Sequence, residues 1–361
     1  MIEQLAKRPF IGLLIIIVLI VLTIPFQNRI DKIRGKFRSV EDTLYMTSSS
    51  LKRLSLGYKE LFADIYWLRA LQYFGGYDKK MSEKDSDLML HYFDIITDLD
   101  PKFVNAYRFG GSFLAEPSPL GFGDIEKGTK LFDKGRLNNP DNFRLPLEEG
   151  FLYYLYSENY KKASDLFKEA SEKPGLSEFR KYSLRGMAAS ALQKGGDIYL
   201  SRKIWQNIYD NAYSESRKRF ALMNLNEINT TIMEKQLTEV LKDYLEEKNR
   251  LPEDVNQLVV DGYLSNIPKS PIGGEFIIAK KIGQVKNSEL AERRLNFYVR
   301  QLTVKAIRFK RFYDKYPEDL AELRNFIETQ TTLKFPEHPL GIEYKYDPET
   351  GRVSTDPVKV R

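Results

Sequence analysis

Residues 147–174 read LEEGFLYYLYSENYKKASDLFKEASEKP, and this stretch decides the fold of the middle of the chain. Small and bulky residues follow one another in it at the positions Leu147, Gly150, Phe151, Tyr154, Ala163, Phe167 and Ala170. Small residues let the two helices of a hairpin approach each other closely, while aromatic residues fill the space to the next hairpin. The stretch therefore predicts a pair of packed helices that ends at Pro174.

Prolines mark the recurrence of this pattern along the chain. Asp100-Pro101, Asn139-Pro140 and Lys173-Pro174 are separated by 39 and 34 residues, which is the range of helix-turn-helix solenoid repeats. Poorer copies cover residues 58–101 and 179–212, as expected for end repeats, one face of which meets solvent or another domain. We therefore predict an α-solenoid over residues 57–212.

The first helix of this solenoid is predicted in residues 58–74, YKELFADIYWLRALQYF. Leu61, Ile65, Leu68 and Leu71 or Gln72 recur near helical spacing, which predicts that they lie on the apolar face of the helix. The aromatic residues Phe62, Tyr66, Trp67 and Phe74 widen this face. Residues 85–101 read as a second amphipathic helix that is closed by a proline. Paired helices are therefore the expected unit.

The spacing of small and bulky residues resembles that of the tetratricopeptide repeat (TPR) family. Tyr107, Gly110, Gly111 and Leu114 match the first helix of that family's motif, and Gly128, Phe132 and Gly135 match the second. The resemblance covers roughly residues 57–212. A helical solenoid of another family remains the alternative.

The resemblance implies that a groove lined by the first helix of each pair binds a protein partner. The family's groove positions correspond to Asn105, Arg108, Ser112, Glu148 and Arg185 in this chain. Arg108 and Arg185 could hold a carboxylate or an acidic segment, or they could be ordinary surface charges.

The N-terminal part of the chain contains a continuous apolar run instead of an amphipathic pattern. Residues 8–29, RPFIGLLIIIVLIVLTIPFQNR, carry no charge between the two terminal arginines. The seventeen residues 10–26, interrupted only by Gly12, Thr23 and Pro25 among large apolar residues, would rise about 25 Å as a helix, and Pro9 and Gln27 can extend the span into the interfaces. We predict a tail at residues 1–8 and a transmembrane anchor at residues 9–27. A cleaved signal peptide is the alternative, although no small-x-small cleavage site follows the apolar run.

The net charge of +6 is concentrated at this end, since residues 1–38 hold seven Lys and Arg against two acids. The rest of the chain is nearly balanced, so the charge gives no reason to expect nucleic acid as a partner. Residues 28–56 are expected to form a basic juxtamembrane segment and linker. The short basic N-terminus favours a single-pass protein of the inner membrane with its bulk in the periplasm, whereas the count of flanking basic residues favours the opposite orientation.

The C-terminal third repeats itself. LPEDVNQLVVDGYLSNIPKSPIGGEFII at 251–278 and YPEDLAELRNFIETQTTLKFPEHPLGIEYKY at 316–346 share PED and P-x2-P-x-G, and an amphipathic helix precedes each, at 226–249 and 288–314. The pattern predicts a duplicated α+β module, with copy 1 at 213–287 and copy 2 at 288–361. The fold class is therefore mainly α: a transmembrane helix, a TPR-like solenoid and the duplicated module.

Each copy is expected to contain a short strand, at residues 275–278 and 343–346, and the two strands could pair with each other. In copy 2 the sequence YDPETGRVST predicts a tight turn into a further short strand. The module is faintly similar to the globular ends of pseudopilins and pilins, which combine a long helix with a proline-rich turn and a strand.

The sequence offers few groups for chemistry. His91 and His338 lie in different predicted domains, and the chain has no cysteine. Residues 123–130, GDIEKGTK, have the wrong order for a phosphate-binding loop, and Ser49-x-x-Lys52 lacks companion motifs. We expect no enzymatic activity, no metal, no cofactor and no small-molecule substrate.

Three functions are consistent with these patterns. The leading hypothesis is a membrane-anchored adaptor whose solenoid binds a protein partner and whose duplicated modules cap the solenoid or form a second interface. A component of a type IV pilus or of a type II secretion-like assembly is the alternative. An enzyme of the cell envelope that uses the solenoid as a platform has no motif in its favour.

Overall fold

The computed structural model describes residues 47–75, 83–117, 120–330 and 334–356, together with the helical residues Val21, Thr23 and Pro25. Within these residues the fold is mainly helical, as predicted, with two small β-hairpins. The expected anchor at residues 9–27 lies outside the described residues except for those three positions. No helix in the described part of the chain is both long enough and apolar enough to cross a membrane.

Four consecutive helix pairs follow a short first helix. The helices are α1 (Ser48–Leu54), α2 (Lys59–Gly75), α3 (Glu83–Leu99), α4 (Val104–Ala115), α5 (Ile125–Asn138), α6 (Arg144–Leu155), α7 (Tyr160–Glu172), α8 (Glu178–Lys194) and α9 (Ile198–Asp210). The pairs are α2 with α3, α4 with α5, α6 with α7 and α8 with α9, and neighbouring pairs also pack against each other.

Glycines set the distance between the two helices of a pair. A Cβ atom built on Gly128 of α5 would lie 2.5 Å from the carbonyl oxygen of Gly111 in α4. In the next pair, a Cβ on Gly150 would lie 2.7 Å from the ring of Phe167. Since real side chains do not approach this closely, the backbones meet because these positions are glycine.

The second helix of three pairs begins at a side-chain cap. Asp124, Asn159 and Asp197 each accept a hydrogen bond from the backbone N–H three residues later, at 3.0, 3.1 and 3.1 Å. Short polar side chains satisfy the free N–H groups at a helix N-terminus and are strongly preferred there. The residues GDIEKGTK are therefore the cap and first turns of α5.

The buried face of α2 is only part of the predicted apolar face, since Tyr66 is buried and Phe62 and Trp67 pack against the core, as predicted, but the aliphatic stripe does not. Ala63, Tyr66 and Ala70 are buried, whereas Leu61 and Leu68 are 56% and 58% exposed and Ile65 is 39% exposed. Two alanines let α2 come close to α3, and the aromatic side chain between them packs on Tyr92 of α3, with ring centroids 6.0 Å apart. The leucine stripe consequently lies on the outer face of α2.

The C-terminal third contains the same sequence of elements twice. Copy 1 consists of α10 (Glu215–Lys248), α11 (Val255–Val260), β1 (Phe276–Ala279) and β2 (Gln284–Asn287). Copy 2 consists of α12 (Ser288–Tyr313), α13 (Leu320–Gln330), β3 (Lys345–Asp347) and β4 (Arg352–Ser354). Each copy thus has a long helix, a shorter helix and an antiparallel hairpin.

The repeated PED segment forms the cap of the shorter helix in both copies. Asp254 accepts from the N–H of Gln257 at 3.0 Å, and Asp319 accepts from the N–H of Glu322 at 2.8 Å. In return, a side-chain oxygen of Gln257 or Glu322 accepts from the backbone N–H of the residue before the cap, at 2.8 Å in copy 1 and 2.6 Å in copy 2. The motif therefore has a structural role in starting a helix.

The strands of the two copies do not pair with each other, contrary to one expectation. β1 pairs with β2 in the register Phe276↔Asn287, and β3 pairs with β4 in the register Lys345↔Ser354. Only four residues, 280–283, connect β1 to β2, so the local partner is closer than the other copy. The predicted returning strand of copy 2 is confirmed as β4, while β2 was not predicted.

Helix α10 begins at Glu215, eleven residues before its predicted start. Its first half packs in a cluster with Trp205 and Ile208 of α9, through Ala221, Leu225 and Ile228. Its second half supplies Leu237, Leu241 and Tyr244 to the core of copy 1. One continuous helix therefore joins the solenoid to the duplicated modules, where the sequence suggested a domain boundary.

Candidate functional site

A groove of about 410 Å³ opens between α6, α8 and α10, with α7 and α9 forming its floor. The helices that line its sides are the first helices of two pairs and the long helix that follows them. Its lining is Phe151, Tyr154, Phe167, Tyr182, Ser183, Gly186, Met187, Ser190, Trp205, Ile208, Arg217, Phe220 and Asn224. Most of these side chains are aromatic or aliphatic.

Aromatic contacts hold the walls to the floor. The ring of Phe151 lies 5.1 Å from that of Phe167, and the ring of Phe220 lies 5.7 Å from that of Trp205, both in edge-to-face geometry. Gly186 gives the indole room, because a Cβ there would come within 3.2 Å of the ring of Trp205. Such packing fixes the shape of the groove.

Three large apolar side chains of the walls remain in water. Phe151 is 37% exposed, Met187 38% and Phe220 47%. Exposed apolar residues are ordinary when they are scattered, but a contiguous concave group of them marks a binding surface. Burial of these side chains by a ligand would be favourable by the hydrophobic effect.

The groove has few free polar groups. Ser183 and Asn224 donate to backbone carbonyls of their own helices, at 2.9 and 2.8 Å. The guanidinium of Arg217 lies 4.2 Å from the centre of the Phe179 ring at the rim. The indole N–H of Trp205 is buried and has no hydrogen-bond partner among the described residues. The site is therefore apolar with a cationic edge.

Three of the sequence-predicted groove residues form one cluster between α4 and α6. Nε of Arg108 donates to both carboxylate oxygens of Glu148, at 2.8 and 2.9 Å, and Nη1 donates to Oδ1 of Asn105 at 3.2 Å. The guanidinium and the carboxylate neutralise each other. Arg108 is thus engaged within the chain and would have to release Glu148 before it could bind an external carboxylate.

The other two predicted residues lie elsewhere. Ser112 is half-buried on α4, and Arg185 is half-buried on α8, where its guanidinium lies 6.0 Å from the ring centre of Tyr182. None of the five predicted residues lines the apolar groove. That Arg217, Phe220 and Asn224 belong to the site was not predicted, because the long helix that carries them was assigned to the next domain.

Glu149, which follows Glu148 in the sequence, is fully buried. Its Oε2 accepts from Nη1 of Arg136 at 2.8 Å, and this arginine also reaches Glu169 at 3.4 Å. Burial raises the pKa of Glu149 to about 7, despite the neighbouring guanidinium. This pair lies at the contact between the second and third helix pairs and is separate from the groove.

The histidines lie in structural positions. His338 is buried in the turn before β3, where Nε2 lies 3.0 Å from Oγ1 of Thr355 and Nδ1 accepts from the N–H of Leu340 at 3.1 Å. His91 lies on α3. Within the described ranges, no group of three or more His, Asp and Glu residues is arranged to hold a metal ion.

Comparison of the chain with protein-family models, with curated proteins and with solved structures gives no match.

Proposed function

We propose that this protein is a membrane-anchored scaffold of the TPR type, which holds a protein partner in the groove between α6, α8 and α10. The observation that carries the proposal is the contiguous apolar lining of that groove, with Phe151, Met187 and Phe220 exposed in its walls. The anchor is the apolar segment at residues 9–27. It would hold the scaffold in the inner membrane, with the bulk of the chain in the periplasm.

The chemistry of the lining favours a protein ligand. Aromatic residues, methionine and arginine are the residue types enriched in the cores of protein interfaces. A groove between helices accepts an amphipathic helix whose apolar residues recur every three or four positions. The guanidinium of Arg217 at the rim would meet a carboxylate of such a segment.

Site-specific photo-crosslinking in intact cells tests this proposal. A photoreactive amino acid at Met187 or Phe220 is expected to give the same covalent adduct with one protein. The same amino acid at Leu137, which is 84% exposed on α5, should give none. An adduct that forms equally from all three positions would contradict the groove. Adducts with pilus or secretion proteins would identify the partner as part of such an assembly.

Substitution of the groove should release the identified partner. Met187→Asp and Phe220→Asp each place a charge in an apolar contact, and we expect each to weaken binding by a factor of about ten or more. Leu137→Asp is the matched control and should bind as the parent chain does. If purified partner binds the two groove variants and the control with equal affinity, the groove is not the binding site. Arg108→Ala together with Arg185→Ala tests whether the polar positions contribute.

A further inference from the structure

The end of α1, the turn after it and the outer side of α2 carry six large apolar side chains in water. They are Leu54, Leu56, Tyr58, Leu61, Ile65 and Leu68, which are 57%, 86%, 69%, 56%, 39% and 58% exposed. We refer to these six residues as the α2 face. The opposite side of α2 is the one that packs into the solenoid, through Ala63, Tyr66 and Ala70. The α2 face therefore does not contribute to the core of the solenoid.

The turn gives an independent indication. Leu56 has φ +47°, in the left-handed region that residues with a side chain rarely adopt, and Gly57 follows with φ +99°. A leucine in this conformation is strained relative to glycine or asparagine, and at 86% exposure it gains no burial in return. Neither the backbone nor the packing explains an apolar residue at this tip. Contact with a surface outside the solenoid would explain it.

Basic side chains outnumber acidic ones among the exposed charged residues of α1 and α2. Lys52, Arg53, Lys59 and Arg69 are exposed on α1 and α2, against two exposed acids, Glu60 and Asp64. The sequence that precedes residue 47 is also basic, with five Lys and Arg between residues 29 and 38. An exposed apolar face in a segment with more basic than acidic side chains is the pattern of a helix that lies in the interface of an anionic bilayer.

The position of the α2 face in the chain agrees with this surface. Twenty residues separate the end of the apolar segment 9–27 from the start of α1. At no more than about 3.4 Å per residue, this connection keeps the α2 face within roughly 70 Å of the bilayer whenever the anchor is inserted. The tether supplies a high local concentration of lipid, so a modest affinity is sufficient.

We propose that the α2 face lies in the headgroup region of the membrane and that it lays the N-terminal end of the solenoid on an anionic lipid surface. This inference rests on the anchoring that forms part of the proposed function. Leu56 and Leu61 would reach the acyl boundary, Tyr58 would lie at the level of the headgroups, and Arg53 and Lys59 would pair with lipid phosphates.

Spin labels on the full chain test this arrangement, because the chain has no cysteine of its own. Leu61→Cys, Leu68→Cys and, in the turn, Leu56→Cys place the label on the α2 face, and Leu137→Cys places it on an exposed leucine of α5. Each chain is reconstituted in nanodiscs that contain one anionic lipid. We expect the three labels of the α2 face to collide with oxygen and to lose several-fold in collisions with a water-soluble nickel chelate, relative to the label at 137.

Two results would overturn the inference. Labels on the α2 face could be as accessible to the nickel chelate as the control label, which would leave the face in water. They could also be shielded from oxygen as well as from the nickel chelate, which would mean that protein covers the face. A label at Val18→Cys tests the anchor itself: if it is in water, the proposed anchoring fails, and if it is in hydrocarbon while the others are in water, only this inference fails.

Discussion

Glu149 and Arg136 form a buried ionisable pair whose groups are incompletely satisfied. Oε1 of Glu149 and Nε of Arg136 have no hydrogen-bond partner within the described residues. A buried carboxylate that receives only part of its hydrogen bonds pays a desolvation cost that a single guanidinium does not fully offset. This cost is the physical reason for the raised pKa of Glu149.

The pair predicts a pH dependence of stability. The folded-state pKa of about 7 lies above the ordinary value of 4.5, so the folded chain binds a proton more tightly than the unfolded chain. The contribution of Glu149 is fully present below pH 4.5 and is lost as the pH rises through 7, by about 3 kcal/mol at most. Denaturant unfolding as a function of pH measures this loss. Glu149→Gln should reduce the slope between pH 4.5 and 7, and an unchanged slope would contradict the assignment.

Residue positions were predicted better than residue roles. The TPR spacing placed Arg108 and Glu148 on first helices, and both are there, but sequence spacing could not show that they bind each other across forty residues. Likewise, the adjacent letters Glu148-Glu149 gave no indication that one is half-exposed and the other fully buried. Pairing and burial depend on the angle between neighbouring helices, which a single sequence does not contain.

At the scale of elements, the contact between α4 and α5 predicts the effect of one added methyl group. Gly128→Ala would place a Cβ 2.5 Å from a backbone oxygen of α4 and 2.6 Å from the Cβ of Ala115. Backbone cannot move aside as a flexible side chain can, so we expect a loss of about 1 to 3 kcal/mol in the free energy of unfolding.

Gly186→Ala in α8 is the matched control for this change. Its added Cβ would lie 3.2 Å from the ring of Trp205, a contact that a small shift relieves. The gain in helix propensity of about 1 kcal/mol should then make this variant close to neutral. Equal losses in the two variants, measured by thermal unfolding, would show that the close approach of α4 and α5 is not what Gly128 provides.

Helices were predicted more reliably than strands and faces. Proline spacing and amphipathic periodicity located the helix pairs, because both signals are local. The outer side of α2 was assigned to the core because Leu61, Ile65 and Leu68 are more hydrophobic than the alanines that are in fact buried. Strand β2, QVKN, has no apolar alternation beyond one valine and became visible only through its pairing with β1.

At the scale of the whole molecule, the buried residues form successive clusters along the chain. Separate clusters lie in the first helix pairs, around α8 to α10, in copy 1 and in copy 2. In such an arrangement each unit is stabilised by itself and by its neighbours. The duplication was visible in the sequence because its turn residues repeat, but the extension of α10 into the solenoid was not.

The two copies offer a matched pair of substitutions. Leu258 and Leu323 occupy equivalent positions after the PED cap, and both are fully buried in the core of their own copy. Leu258→Ala and Leu323→Ala should each cost about 2 to 5 kcal/mol. We expect hydrogen exchange to rise in α10 to β2 for the first variant and in α12 to β4 for the second. A uniform rise over the whole chain in both variants would show that the copies unfold as one unit.

Helix α10 has 34 residues and is therefore about 50 Å long. Phe220 near one end is a wall of the groove, and Tyr244 near the other end is a core residue of copy 1. Because the helix is continuous, a tilt of about 5° at the groove would carry its far end through about 4 Å. A ligand that changed the angle of α10 at the groove would therefore also displace copy 1, and occupancy of the groove would be measurable as a change of distance near Tyr244 at the other end of the helix.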